Sequence, residues 1–229
     1  MDGVLIDTEK YYTKYWKEAA RYSGFPFETE HGLFLRSFSG KYAQMFMTMI
    51  FGEQFDMNTV RDRRKALMEP QLLADGIMKK PGVDTLLAAL HERNIRTAVA
   101  TASDWRRAKK YLEMIGILDQ FDEIICVDMI ENGKPMPDIY RYACEKLNLP
   151  PKYCIAVEDS PNGILSAYQA GCKAVMVPDL TGPDDILKLM LYACVPVLDD
   201  ITALVDRENE GCTSRRPSGL RKTNWQLNS

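Results

Sequence analysis

Apolar positions recur every three or four residues through the first third of the chain, then give way to short continuous runs. In "TEKYYTKYWKEAARYSGF", Tyr12, Tyr15, Trp16, Ala19 and Ala20 fall at helical spacing and Gly24 can stop the helix. "KYAQMFMTMIFG" predicts a second helix ending at Gly52. "NTVRDRRKALMEPQLLADG" predicts a third, amphipathic one, broken or restarted at Pro70. No strand pattern occurs over residues 9–78. After Pro81-Gly82 the rhythm changes. The short runs "RTAVATAS", "EIICVD", "YCIAVEDS" and "KAVMVPD" alternate with the helical patterns "DWRRAKKYLEMIG", "MPDIYRYACEKLN" and "PNGILSAYQAG".

Strands that are apolar throughout, alternating with helices, predict an α/β fold: a doubly wound parallel sheet covered on both faces. Such sheets bind ligands beyond the carboxyl ends of their strands. The polar residues there are Thr101-Ala102-Ser103, Asp128 and Glu158-Asp159-Ser160, and Asp2 if its strand lies upstream. Residues 1–8 and 79–205 then form the core, and 9–78 an inserted α-helical cap. Residues 206–229 are polar without sustained periodicity and read as a flexible tail.

Composition narrows the function classes. The chain has 229 residues, 46% of them hydrophobic, enough for a sizeable core. A formal net charge of -3 offers no basic field for nucleic acid. The six cysteines are scattered without metal-finger spacing, which suits reduced thiols in a cytoplasmic protein. There is neither a membrane-length apolar run nor a secretory leader pattern. His31 and His91 show no metal or triad spacing. A monomer without membrane or nucleic-acid partners is expected.

Four stretches, "DGVLIDT", "VATAS", "GKPMPDIY" and "VEDSPNGILSAYQAG", stand in the order and with the content of the haloacid dehalogenase-like (HAD) superfamily of phosphotransferases. With the segments between them, the resemblance covers residues 1 to about 200. It implies a Rossmann-like core with a helical cap, and a site for a phosphoryl group and Mg2+. The family's first motif runs Asp-x-Asp-Gly. Asp2-Gly3 resemble its second half and Met1 its "x". The nucleophilic Asp would therefore stand immediately before Met1, and this chain does not contain it.

The resemblance implies that Asp2 is the general acid/base, with its backbone carbonyl on the metal. Thr101 would hydrogen-bond a phosphoryl oxygen, aided by the Ala102 backbone N–H and by Ser103, which is also placed to cap the following helix. Lys134 would offset charge between nucleophile and phosphoryl group. Glu158 and Asp159 are adjacent acids at a strand end, suited to a hard cation, Asp159 directly and Glu158 directly or through water. In the cap, Arg36, Ser39 and Lys41 are candidates for a distal charged group of the substrate.

The reading that follows is a Mg2+-dependent phosphatase of a small phosphorylated metabolite, such as a sugar phosphate, working through an aspartyl-phosphate. Two alternatives stay open. One is a β-phosphoglucomutase-like phosphotransferase, although mutases carry a His near the position of Tyr12. The other is a catalytically inactive binding protein. Because Thr101, Lys134, Glu158 and Asp159 are all retained, a truncated start of a normally active protein is the expected explanation for the absent nucleophile.

Overall fold

The structure, a computed structural model, describes residues 1–213. Four helices come first: α1 (Glu9–Tyr22), α2 (Thr29–Leu35), α3 (Gly40–Phe51) and α4 (Met57–Asp75). They close on their own apolar cluster, in which Ala19, Ala20, Phe27, Met47, Phe55 and Val60 are buried. Tyr15, Ala19 and Ala20 of α1 fill the inward stripe that the spacing predicts. Helix α4 runs on through Pro70, which is exposed, so the expected break does not occur. Asp56 caps its start by accepting from the Asn58 and Thr59 amides.

The remainder alternates: α5 (Val83–Glu92), β1 (Ala98–Thr101), α6 (Trp105–Met114), β2 (Glu123–Cys126), α7 (Asp138–Lys146), β3 (Ile155–Glu158), α8 (Pro161–Ala170), β4 (Lys173–Met176), α9 (Asp185–Lys188), β5 (Ala193–Cys194) and α10 (Ile201–Thr213). Every ladder is parallel. Side chains alternate between two cores. Val175 of β4 joins Leu86, Leu112, Ile201 and Leu204 on one face, while Ala174 and Met176 join Ile139, Ile164 and Ala167 on the other. Period-two alternation between two helical layers is the doubly wound arrangement.

The sheet differs from the expectation in being two sheets. β1 pairs with β2, and β3 with β4 and β5, while no ladder joins β1 to β3 among the described residues. A cavity of about 460 Å³ separates them, lined by Ala98, Val99 and Ala100 on one side and Ile155, Ala156 and Val157 on the other. Residues 1–6 do not run alongside either strand. They fold into a tight turn, with the Leu5 amide donating to the Met1 carbonyl at 2.8 Å and the Gly3 amide to the Ile6 carbonyl at 3.0 Å.

The tail boundary also moves. Helix α10 continues to Thr213 rather than giving way at 206, because Leu204 and Val205 are buried against α5 and Arg93 pairs with Asp206 at 2.7 Å. The rest of the expected tail, 214–229, lies outside the described residues. No helix of the described residues is long and apolar enough to cross a membrane.

Among the described residues, only β4 has ladder partners on both sides. Hydrogen exchange followed by NMR is therefore expected to show the β4 amides as the slowest of the sheet. Alternate amides of β1 and β3, facing the cavity, should exchange markedly faster.

Candidate active site

Thr101 ends β1, Glu158 ends β3, and the Met1–Ile6 turn lies at the same end of the molecule. A cavity of about 260 Å³ there is lined by Asp2, Thr101, Ala102, Ser103, Lys134, Glu158 and Arg36, together with Arg107, Tyr12, Arg61 and Lys65 from the helices. Six positions picked from the sequence besides Asp2 thus share one crevice, and a seventh, Asp159, borders it beside Arg36. Lys41 does not. Helix α3 starts at Gly40, which faces the Arg61 guanidinium, and the next side chain turns outward to solvent beside the Tyr42 ring.

Asp2 is held from three directions. The Thr8 hydroxyl donates to its Oδ1 at 2.7 Å, the Ser103 hydroxyl to Oδ2 at 3.3 Å, and Arg107 reaches both oxygens, at 2.8 and 3.4 Å. Burial alone would raise the Asp2 pKa. The Arg107 charge and the Met1 ammonium outweigh it and hold the carboxyl down at about 2. Ser103 is not the helix cap. Asp104 takes that place, accepting from the Arg107 amide at 3.0 Å. The Ser103 amide instead donates to Thr101 Oγ1 at 3.1 Å, which leaves the Thr101 proton free to point elsewhere.

Lys134 and Glu158 form a buried ion pair, and the Tyr140 hydroxyl donates to the same Glu158 oxygen. The Lys134 ammonium also donates to the Ala100 carbonyl at 3.1 Å. Burial pushes the Glu158 carboxyl up, but Lys134 and the Met1 ammonium bring it below its ordinary value. Glu158 is thus engaged with Lys134 and Tyr140, and a metal would have to compete with both. Gly163 makes room for it: a Cβ there would lie 2.1 Å from the Glu158 carboxyl carbon. The absence of a side chain at this position is what lets α8 pack closely on the end of β3.

Asp159 is different. It is buried, and its Oδ2 has no hydrogen-bond partner, although Arg36 Nη1 stands 3.5 Å away. Burial, then the neighbouring Glu158 charge, raises its carboxyl to about 7. It lies against Gly3, whose φ of +72° suits glycine, and a Cβ there would come 2.3 Å from Asp159 Oδ2. Among the described residues, no group of three or more acidic, His or Cys side chains is arranged to hold a metal ion by itself. An orphaned buried carboxylate oxygen beside the Asp2–Gly3 backbone nevertheless fits a hard cation that takes carbonyl and water oxygens for its other positions.

The cap loop between α2 and α3 is fastened over this point. The Ser39 amide donates to the Lys134 carbonyl at 2.9 Å and the Asn162 amide group to the Arg36 carbonyl at 2.8 Å, while Ser160 meets Ser37 at 2.8 Å. Ser160 also caps α8, its hydroxyl accepting from the Gly163 amide at 3.2 Å. Sequence reasoning missed Arg107, Tyr140 and Thr8 as partners of the site acids. Arg107 stands four residues after Ser103, one helical turn on, and that spacing was its only signal.

Residues 1–171 match the haloacid dehalogenase-like hydrolase family. The chain belongs to that family. Among its relatives in the family, it is 30% identical over 186 residues to the β-phosphoglucomutase of Bacillus subtilis, covering 77% of this chain and 80% of the relative. It is 28% identical over 178 residues to the phosphorylated carbohydrates phosphatase of Thermotoga maritima, covering 76% and 81%. A hydrolase from Pseudomonas syringae shares the fold with a TM-score of 0.80 at 20% identity, over 90% of this chain and 95% of that one.

Asp2 and Asp159 carry opposite pH signatures. The Asp2 carboxyl titrates at about 2 when folded against an ordinary 3.8, so its stabilisation is present above about pH 4 and is lost as pH falls toward 2. Asp159 is raised to about 7 by burial and then by Glu158, so its stabilisation is present below the unfolded value and is lost as pH rises toward 7; Glu9, raised by burial and then by Asp159, acts in the same direction. In metal-free urea titrations, stability should therefore peak near pH 4. Arg107→Met should remove about 2 kcal/mol of the loss between pH 4 and pH 2.

Proposed function

We propose that the chain acts on the phosphoryl group of a small phosphorylated metabolite, a sugar phosphate in the first instance, as a Mg2+-dependent phosphatase. The observation that carries this reading is the meeting of Asp2, Thr101 and the buried Lys134 ammonium at one cavity, beside an Asp159 oxygen without a hydrogen-bond partner. The similarity to a phosphorylated carbohydrates phosphatase supports the substrate class.

The Thr101 hydroxyl and the Ala102 amide would donate to phosphoryl oxygens, and Lys134 would stabilise the charge gathering on them. Asp159 and the Asp2 main-chain carbonyl would hold Mg2+, which when bound supplies charge neutralisation of the phosphoryl group. Asp2 would pass a proton to the leaving oxygen and later take one from water. As held by Arg107 it is ionised at neutral pH. Proton delivery therefore requires that pair to loosen, as it would when an anion competes for the guanidinium.

The covalent step needs a carboxylate that family resemblance puts immediately before Met1. Asp2 does not stand in for it, because Thr8, Ser103 and Arg107 fix both of its oxygens.

Incubation with β-glucose 1-phosphate and Mg2+, followed by 31P NMR, tests the reading. The 229-residue chain is expected to show negligible turnover. Fusing an apolar strand ending in Asp directly before Met1 should produce free phosphate, and Lys134→Ala in that fusion should lower kcat by about 100-fold or more. Robust turnover by the unfused chain would refute the nucleophile assignment, and glucose 6-phosphate as the product would replace hydrolysis by transfer.

Metal binding has a readout independent of turnover. Mg2+ at roughly ten times its Kd should raise the thermal midpoint by about 3–5 °C, and Asp159→Asn should abolish the shift.

A further inference from the structure

Arg36 closes α2 as its C-cap residue, and its side chain is only 4% exposed beside an Asp159 side chain at 3%. Its three guanidinium nitrogens face three different elements. Nε faces the Leu33 carbonyl of α2 at 3.5 Å, Nη2 donates to the Thr181 hydroxyl on the loop after β4, and Nη1 stands 3.5 Å from Asp159 Oδ2 at the end of β3. That last contact is close but unbonded, since neither Nη1 nor Oδ2 has a hydrogen-bond partner. Two buried opposite charges at that distance still attract strongly, because little water screens them. The guanidinium thus offsets the charge of Asp159 without saturating its oxygen.

The backbone that carries Arg36 is held under strain. Ser37, the next residue, has a φ of +63°, in the left-handed region that residues with a side chain seldom adopt. Contacts to the core keep it there. Ser160 meets the Ser37 hydroxyl, Asn162 donates to the Phe34 and Arg36 carbonyls, and the Ser39 amide donates to the Lys134 carbonyl. The docking is tight: a Cβ at Gly133 would lie 2.6 Å from the Ser39 Cβ. A segment fastened in a strained turn relaxes when one of its fastenings is withdrawn.

A divalent cation such as Mg2+ lies about 2 Å from each oxygen that binds it. At Asp159 Oδ2 it would share the oxygen with a guanidinium 3.5 Å away. Two positive charges so placed, with no room for water between them, repel with a strength comparable to the attraction of either for the carboxylate.

We propose that Arg36 competes with the divalent cation for Asp159 and so sets the affinity of the cation site. Loading the cation displaces the guanidinium and releases the strained 36–39 segment of the cap from the core. This rests on the reading of Asp159 as a cation ligand. The coupling is reciprocal: by whatever factor the fastened segment weakens the cation, the bound cation weakens the fastening.

Calorimetric titration of the 229-residue chain with Mg2+, together with hydrogen exchange by NMR at the Ser39 amide, tests this. In the wild type, saturating Mg2+ is expected to speed exchange of that amide by about fivefold or more. Arg36→Met should bind Mg2+ about tenfold tighter, and its Ser39 amide should exchange fast with or without Mg2+. Asn162→Ala removes two fastenings without touching the guanidinium. It should tighten Mg2+ by about two- to threefold and speed the same amide.

Equal Mg2+ affinity in the wild type and both variants, with binding lost in Asp159→Asn, overturns the competition while the cation site stands. Weaker binding in Arg36→Met shows the guanidinium supporting the site, and overturns it too. Mg2+ binding that survives Asp159→Asn, or no binding by the wild type and Arg36→Met alike, overturns the cation reading and the proposal with it. If Arg36→Met loses its cooperative melting transition, Asn162→Ala decides, and unchanged Mg2+ affinity there overturns the proposal.

Discussion

The buried pair of Lys134 and Glu158 is the contact on which the rest of the site depends. The ammonium bonds to a β1 carbonyl at Ala100 and to a carboxylate at the end of β3, so it spans the space between two sheets that share no ladder. Two opposite charges taken out of water stabilise a fold only when their remaining donors and acceptors are met. Here Tyr140 meets a Glu158 oxygen, and Ser160 stands 3.5 Å from the other. The glycine at 163 is what allows the carboxylate to sit under α8 at all. The pair stabilises the molecule less by its own energy than by fixing where the strand ends lie relative to each other.

Around that fixed pair the two remaining acids are driven apart in acidity. Asp2, gripped by Arg107, is a strong acid; Asp159, buried beside another carboxylate and only loosely approached by Arg36, is a weak one. Neighbouring carboxyls pushed in opposite directions are the usual mark of divided labour at a catalytic centre. The same arrangement leaves one carboxylate oxygen unsatisfied at the spot where a cation would be most useful.

Much of this was legible in the chain because parallel strands announce their carboxyl ends: an apolar run stops and small or acidic residues follow. Thr101, Ser103, Glu158 and Asp159 were singled out that way, and Asp2 and Lys134 by the motifs they stand in. What was not legible depends on the reach of long side chains across elements. Arg107 and Arg64 look like ordinary surface cations in "DWRRAKK" and "VRDRRKAL"; only the packing of α1 and α4 on α6 turns them inward. Lys41 was misplaced for the complementary reason, since the first turn of α3 directs it to solvent. The end of α10 was hidden because its buried face is carried by few residues, and the polar remainder masks the helical period.

The split sheet has a consequence away from the chemistry. β1 and β3 each present one margin without a ladder partner, and such margins invite pairing with any extended chain of suitable composition. Natural sheets blunt this hazard with charges, proline or a covering helix, whereas the residues here are alanine, valine and isoleucine. Concentrated solutions of the molecule should therefore be prone to clumping through backbone contacts.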